Sequence, residues 1–193
     1  MATTEQPAPA NTASRILDIA ERLVQTRGFN GFSYADIADE LGISKASLHY
    51  HYPGKAELGE ALIVRYAARF AEALRSIDAT IPAARGKLDA YVGLYADVFR
   101  ADRLCLCGIL AAEYQTLPDP MRAAVIRFFD DNEIWLTQVL RAGAQDGTLP
   151  THRPPTDAAK MLLSGLEGAM LVARPYEDLQ RFQSAADCLL AGL

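Results

Sequence analysis

Apolar residues in this chain recur at helical spacing, and no stretch shows the convincing alternation that a half-buried strand requires. The opening segment sets the pattern. Between Thr12 and Arg27, the residues Ile16, Ile19, Ala20, Leu23 and Val24 fall at i, i+3, i+4, i+7 and i+8 and make one apolar stripe. Arg27 followed by Gly28 is a stop signal. Glycine and proline divide the rest. Gly42 and the pair Pro53-Gly54 bound two short helices, opened by Ser33 and by Ser44, and Lys55 opens a long one that reaches about Asp78. Beyond Pro82, helices are expected at about 84–101, 105–116, 120–145, 156–173 and 176–191. The periodicity therefore implies an all-α fold of about nine helices. Half of the 193 residues are hydrophobic, enough for a sizeable core. Residues 1–11, MATTEQPAPAN, are polar with Pro and Ala and read as a disordered arm.

The run from Ser33 to Leu58, SYADIADELGISKASLHYHYPGKAEL, is the most informative. Ser33 is placed to cap a helix, with Asp36 three residues on in a capping-box arrangement. Gly42 permits the positive φ of a tight turn, Ser44 caps the next helix, and Ala38 is small where the two helices would cross. Ile37, Leu41, Ile43 and Leu48 would anchor the pair on the first helix, leaving the polar face of the third outward and free to enter a DNA major groove.

Charge is distributed to suit. The net charge is −5, which taken alone disfavours a nucleic-acid partner. DNA senses local surface, however, and from Leu41 to Ala56 there is no Asp or Glu while Lys45, His49, His51 and Lys55 lie in that window. The plainer alternative is an ordinary helical hairpin inside a core. A metal site on His49 and His51 is disfavoured because residues two apart on a helix point to different faces.

This run resembles the DNA-binding domain of the TetR/AcrR-type regulators. Gly31-Phe32, Ile37-Ala38, Gly42-Ile43-Ser44, Leu48, His51, Tyr52 and Lys55 follow that family's order over roughly residues 15–60. The resemblance implies a helix-turn-helix DNA-binding domain over 12–55 and an effector-binding and dimerisation domain over 56–193. It implies that Ser33 and Tyr34 contact phosphate. Ser44 lies at the turn, Lys45, Ala46 and Ser47 would face base edges, and Tyr50 and His51 would meet the sugar-phosphate backbone. Lys55, with the start of its helix, would hold a phosphate. His49 departs from the usual Tyr, and could donate to phosphate when protonated.

In such a family the C-terminal part holds an effector. Aromatic and mixed residues there are candidates for a mainly apolar pocket: Tyr91, Tyr95, Phe99, Cys105, Ile109, Glu113, Trp135, Glu167 and Met170. For each one a plain core role competes. Glu113 and Glu167 stand apart as carboxylates within apolar helical runs, either facing solvent or kept for a partner. Cys105 and Cys107 open the expected sixth helix, where the helix start and Arg103 favour a thiolate and Asp102 opposes it. The segment CLCGILAAE resembles one common in the family, in which some relatives sense electrophiles or oxidants through the first cysteine. The competing reading is a pair of small buried hydrophobes. Ser164, Gly165, Gly168, Ala169 and Ala173 form a small-residue track on the expected eighth helix, and Leu179, Phe182, Leu189 and Leu190 supply apolar area on the ninth. These last two helices suit a homodimer that reads a palindromic operator, with packing inside one chain as the alternative.

No nucleotide glycine motif, HExxH, nucleophile elbow or metal cluster is present, so an enzyme is not expected and no cofactor is called for. No apolar run approaches membrane-spanning length, and Met1 to Ala13 lacks the features of a secretory signal. Three cysteines (the third is Cys188) without an export signal point to the cytoplasm. The expected function is a sequence-specific DNA-binding transcriptional regulator, a repressor released by a small apolar or electrophilic effector or by modification of Cys105. The alternative is a helical interaction module or a Cys-dependent enzyme without DNA binding.

Overall fold

The computed structural model describes residues 12–149 and 152–193. The arm expected over residues 1–11 lies outside them. The described residues form nine α-helices and no strand: α1 Thr12–Arg27, α2 Tyr34–Leu41, α3 Lys45–His51, α4 Lys55–Thr80, α5 Ala84–Arg100, α6 Leu106–Ala112, α7 Asp119–Gln145, α8 Pro155–Ala173 and α9 Leu179–Ala191.

Local chemistry sets most of the boundaries. Asp36 accepts from the Ser33 N–H and hydroxyl, each at 2.7 Å, so Ser33 precedes α2 as its cap rather than opening it. Gly42 closes α2 at φ 65°, and the Ile43 N–H reaches the Ala38 carbonyl at 3.0 Å. The Ser44 hydroxyl accepts the Ser47 N–H at 3.1 Å and starts α3. Two helices are shorter than their apolar pattern suggests. The stretch expected as one helix over 105–116 ends at Ala112 and tightens into a 3-10 turn, Tyr114–Thr116. The last helix begins at Leu179 rather than near 176. Pro175 sits in a 3-10 turn, Glu177 is left-handed at φ 51°, and only then does the Asp178 carboxylate cap α9 by accepting from the N–H groups of Gln180 and Arg181.

Helices α1 to α3 wrap a small core. Ile16, Ala20, Leu23 and Val24 of α1 meet Ile37 of α2 and Leu48 of α3, all excluded from solvent. Burying a side chain of this size contributes about 2 kcal/mol each. Long α4 carries this unit toward the second layer. Arg65 of α4 pairs with Asp18 at 2.7 Å and Glu21 at 3.0 Å, and Arg69 also reaches Glu21. The larger core lies among α4, α5, α7, α8 and α9, where Tyr66, Phe70, Tyr91, Tyr95, Phe128 and Trp135 cluster. Helix α6 lies between the two layers and is packed against α1, α4 and α7.

Candidate DNA-binding face and effector cleft

The turn Gly42–Ser44 sets α3 across α2 with Leu48 buried beneath it. Ser33, Ser44, Lys45, Ala46, His49 and Tyr50 are exposed, while Tyr34, Ser47, His51 and Lys55 are half-buried. Tyr50 stands 85 % exposed, with its ring edge-on to His51 at 5.4 Å. An aromatic ring left in water on the outer face of a short helix has no role in the core. No acidic residue occurs between Leu41 and Ala56, so the face is locally cationic on an acidic chain.

Three of the expected contact residues are already engaged. The Tyr34 hydroxyl donates to the Tyr52 carbonyl at 2.9 Å, and burial, then Glu57, push its pKa up to about 12. His49 Nδ1 lies 3.0 Å from the Pro53 carbonyl, and its ring packs 4.8 Å from Tyr34. A carbonyl only accepts, so Nδ1 carries the proton and a neutral ring offers Nε2 outward as an acceptor. Donation to phosphate then requires the imidazolium. Lys55 departs most from expectation. Its ammonium donates to the carbonyls of Phe29 and Phe32, both at 2.5 Å, and sits 4.7 and 4.2 Å from their ring centroids. Burial draws its pKa below the usual lysine range, with Glu113 and Asp36 resisting. Lys55 thus ties the α1–α2 loop to the start of α4.

The same loop is held from the other side. The Glu113 carboxylate, just past the end of α6, accepts the Phe29 N–H at 2.5 Å and the Asn30 N–H and side-chain amide at 3.3 and 3.2 Å. Asn30 also donates to Thr116 at 2.8 Å, and the Leu104 N–H reaches the Gln25 carbonyl at 3.3 Å. Gly28 allows this approach. Its φ is +81°, and a β-carbon there would lie 2.8 Å from a Glu113 oxygen. Helix α6 is therefore hydrogen-bonded to the end of α1 before its first turn and after its last.

Beside this joint lies a cleft of about 340 Å³, walled by Gly28 of the loop, by Leu104, Cys105, Gly108, Ile109, Ala112 and Glu113, and by Glu167, Gly168, Met170 and Leu171 of α8. Of the nine pocket residues expected from sequence, Cys105, Ile109, Glu113, Glu167 and Met170 line it. Tyr95 backs it through Glu167, and Tyr91 stands one step deeper. Phe99 stacks on Phe182 instead, and Trp135 stacks on Tyr91 while its indole N–H donates to Asp78 at 2.8 Å. Gly28, Gly108 and Gly168 were not anticipated as cleft residues. Gly108 carried a signal, being a glycine inside a short helix. A β-carbon at that position would collide with the Glu167 carboxyl.

Glu167 is the chemical centre of the cleft. Burial pushes its pKa up to about 7, while hydrogen bonds from Cys105 and Tyr95 pull the other way. No cation joins the hydrogen-bond network around it. The Tyr91 hydroxyl donates to Asn132 Oδ1 at 3.0 Å, the two tyrosine hydroxyls lie 3.4 Å apart, and Tyr95 lies 3.3 Å from Glu167 Oε1. Each hydroxyl has one hydrogen. Tyr95 gives its hydrogen to Glu167 Oε1 and Tyr91 gives its own to Asn132, so the two hydroxyls touch without a hydrogen between them and Glu167 receives only neutral donors. The thiolate expected at Cys105 is not what this setting favours. Burial, then Glu167 and Cys107, push its thiol well above the usual range, and Asp102 is turned outward to Arg174.

A helical unit that presents an acid-free α3 face, joined through the α1–α2 loop to a larger helical body with a cleft, has the build of a helix-turn-helix regulator. Residues 16–62 match the family model described as bacterial regulatory proteins, tetR family, and residues 84–189 match the one described as tetracyclin repressor-like, C-terminal domain. The chain belongs to the TetR family of transcriptional regulators, with a helix-turn-helix DNA-binding domain. It is 31 % identical over 154 residues to the transcriptional regulator AcuR of Cereibacter sphaeroides, a match covering 77 % of this chain and 69 % of that protein. It is 27 % identical over 180 residues to the HTH-type transcriptional repressor NemR of Escherichia coli K12, covering 88 % of this chain and 89 % of that one. The crystal structure of a TetR-family transcriptional regulator from Agrobacterium tumefaciens superposes with a TM-score of 0.90 at 31 % identity, over 93 % of this chain and 95 % of that one.

Among the described residues no helix is long and apolar enough to cross a membrane. The small-residue track divides in two. Gly165 faces inward, where a β-carbon would lie 2.6 Å from Leu189, so it serves packing within the chain. Gly168 has open space in front of it, and Leu171, Val172 and Tyr176 are 58 %, 58 % and 62 % exposed.

Proposed function

We propose that this chain is a cytoplasmic, homodimeric repressor that holds a palindromic operator until a small effector enters the cleft between α6 and α8, and that it has no enzymatic activity or cofactor of its own. The α3 residues Lys45, Ala46 and Ser47 read base edges, and Ser33, Ser44, Tyr50 and His51 position the phosphates. Residues 12–55 form the DNA-binding domain and 56–193 the effector-binding and dimerisation domain. Two copies pair through the open face of α8 and α9, where Leu171, Val172 and Tyr176 leave apolar area in water.

The observation that carries the reading is the Glu113 joint. The cleft wall is itself the hydrogen-bond partner of the loop that leads into α2. An effector that displaces Glu113 or α6 shifts α2 and α3 relative to the dimer body. It releases DNA only to the extent that it binds the two arrangements with different affinity. Addition of an electrophile to Cys105, which lines the same cleft, is the second route to that end, and it requires the buried thiol to give up its proton first.

Fluorescence anisotropy with duplex DNA from the region upstream of its own gene tests the assignment. The protein binds with an affinity that falls steeply with salt. Replacing Lys45 and Tyr50 together by alanine weakens binding about tenfold or more and lowers the salt slope by about one charge. Unchanged affinity and slope in the double variant would remove α3 as the reading helix.

A further inference from the structure

We infer that the cleft selects a small organic cation with an apolar body, and that binding it drives a proton off Glu167. The inference deepens the effector reading and rests on it.

The walls are apolar (Leu104, Ile109, Ala112, Met170, Leu171), and the ionisable groups among them are the Cys105 thiol and two carboxyls, Glu113 and Glu167. No lysine, arginine or histidine lines the cleft. The groups that face Glu167 from the packed helices are Tyr66 of α4, Tyr91 and Tyr95 of α5, and Cys105 and Cys107 at α6. Burial pushes every one of those phenols and thiols above its ordinary range, so all are neutral. Of the nearby cations, Arg174 is committed to Asp102. None of the ion pairs among the described residues includes Glu167.

A buried carboxyl without a cation stays protonated, because the interior charges heavily for an unpaired ion. One that borders a cavity has an alternative, which is to ionise against a positive ligand. Glu167 Oε1 is tied to the tyrosine chain, while Oε2 lies against Gly108, where the missing β-carbon leaves it room. An ammonium or amidinium group reaching that oxygen makes a charge-assisted hydrogen bond. Its hydrocarbon part fills the apolar walls. An anion meets the opposite situation, with a carboxylate at Glu113 and no cationic side chain in the lining to receive it. The proton leaves Glu167 for solvent as the cation arrives, so binding and proton release are linked.

The test uses the full-length protein and three probes sharing one ring: benzylammonium, benzyl alcohol and benzoate. Isothermal titration is run in two buffers of different ionisation enthalpy. Benzylammonium binds about tenfold or more tighter than benzoate, and Glu167→Gln, checked for an intact melting transition, removes about tenfold or more of that affinity. Binding releases close to one proton at about pH 6 and almost none at about pH 9, once Glu167 is already ionised. Benzylammonium binding no tighter than the other two, or equally well to the Gln variant, overturns the inference, as does an absence of proton release at the lower pH. DNA release is scored separately by anisotropy. A cation that binds with proton release yet leaves DNA bound refutes the effector reading and leaves the cleft's charge preference standing.

Discussion

Glu167 makes stability depend on pH in a direction opposite to that of most acidic residues. Its carboxyl titrates near 7 in the folded chain, against an ordinary value of 4.5. The folded state therefore holds a proton that the unfolded state has released. A group raised in this way contributes its stability in full below the unfolded value and loses it as pH rises through the folded one. The shift corresponds to about 3 kcal/mol, of which about 2 to 3 kcal/mol falls between about pH 5 and pH 8.5. Replacing Glu167 by Gln imitates the protonated acid, since the amide is neutral and its oxygen can still accept from the Tyr95 hydroxyl. Urea unfolding of both proteins across that range isolates the effect, because every other titrating group is common to both. The variant matches the parent near pH 5 and exceeds it by about 2 to 3 kcal/mol near pH 8.5. Parallel pH profiles for the two proteins would show that Glu167 is ionised throughout, and would refute the burial argument.

Lys55→Met keeps the hydrocarbon stem against Phe29 and Phe32 but leaves their carbonyls without a charged donor, so chemical denaturation should show a loss of about 2 kcal/mol. A variant of unchanged stability that binds DNA more weakly would instead return Lys55 to a purely phosphate-binding role. Gly28→Ala places a β-carbon against Glu113 on a backbone of positive φ, costing about 1–2 kcal/mol. Hydrogen exchange of the Phe29 and Asn30 amides should quicken in this variant, and unaltered protection would mean that Glu113 is not their main partner.

The helices were legible because their limits are written locally. Gly42, Ser44, Pro53-Gly54 and Pro82 act within a turn of their own position, and the structure places boundaries at each. The misjudged ends share a cause: no glycine or proline lies within 113–116 or 176–178 to mark a break, and the chain leaves the α-helix through the 3-10 turns Tyr114–Thr116 and Arg174–Tyr176, which periodicity does not distinguish. The candidate site was legible in its exceptions. Glu113 and Glu167 were conspicuous as acids in apolar runs, and both line the cleft. Aromatic residues carried no such mark. Phe99, Tyr91, Trp135 and Tyr95 look alike in sequence, and only the packing of α5 on α7, α8 and α9 sends the first three to the core and brings Tyr95 to Glu167. Lys55 was only partly legible for a related reason. A lysine at a helix start suits a phosphate equally well whether or not two carbonyls from a distant loop have claimed it.

Residue 29 has its N–H held by Glu113 and its C=O held by Lys55. The linkage between the two layers thus passes through main-chain atoms, which every residue type supplies alike. Substituting the side chain at that position changes the padding and leaves the hinge pin in place. A line of descent that needs a different response to the same effector must alter the two hands that grip the pin, or the glycine that lets one of them close, and those are the positions at which inherited variation in responsiveness should accumulate.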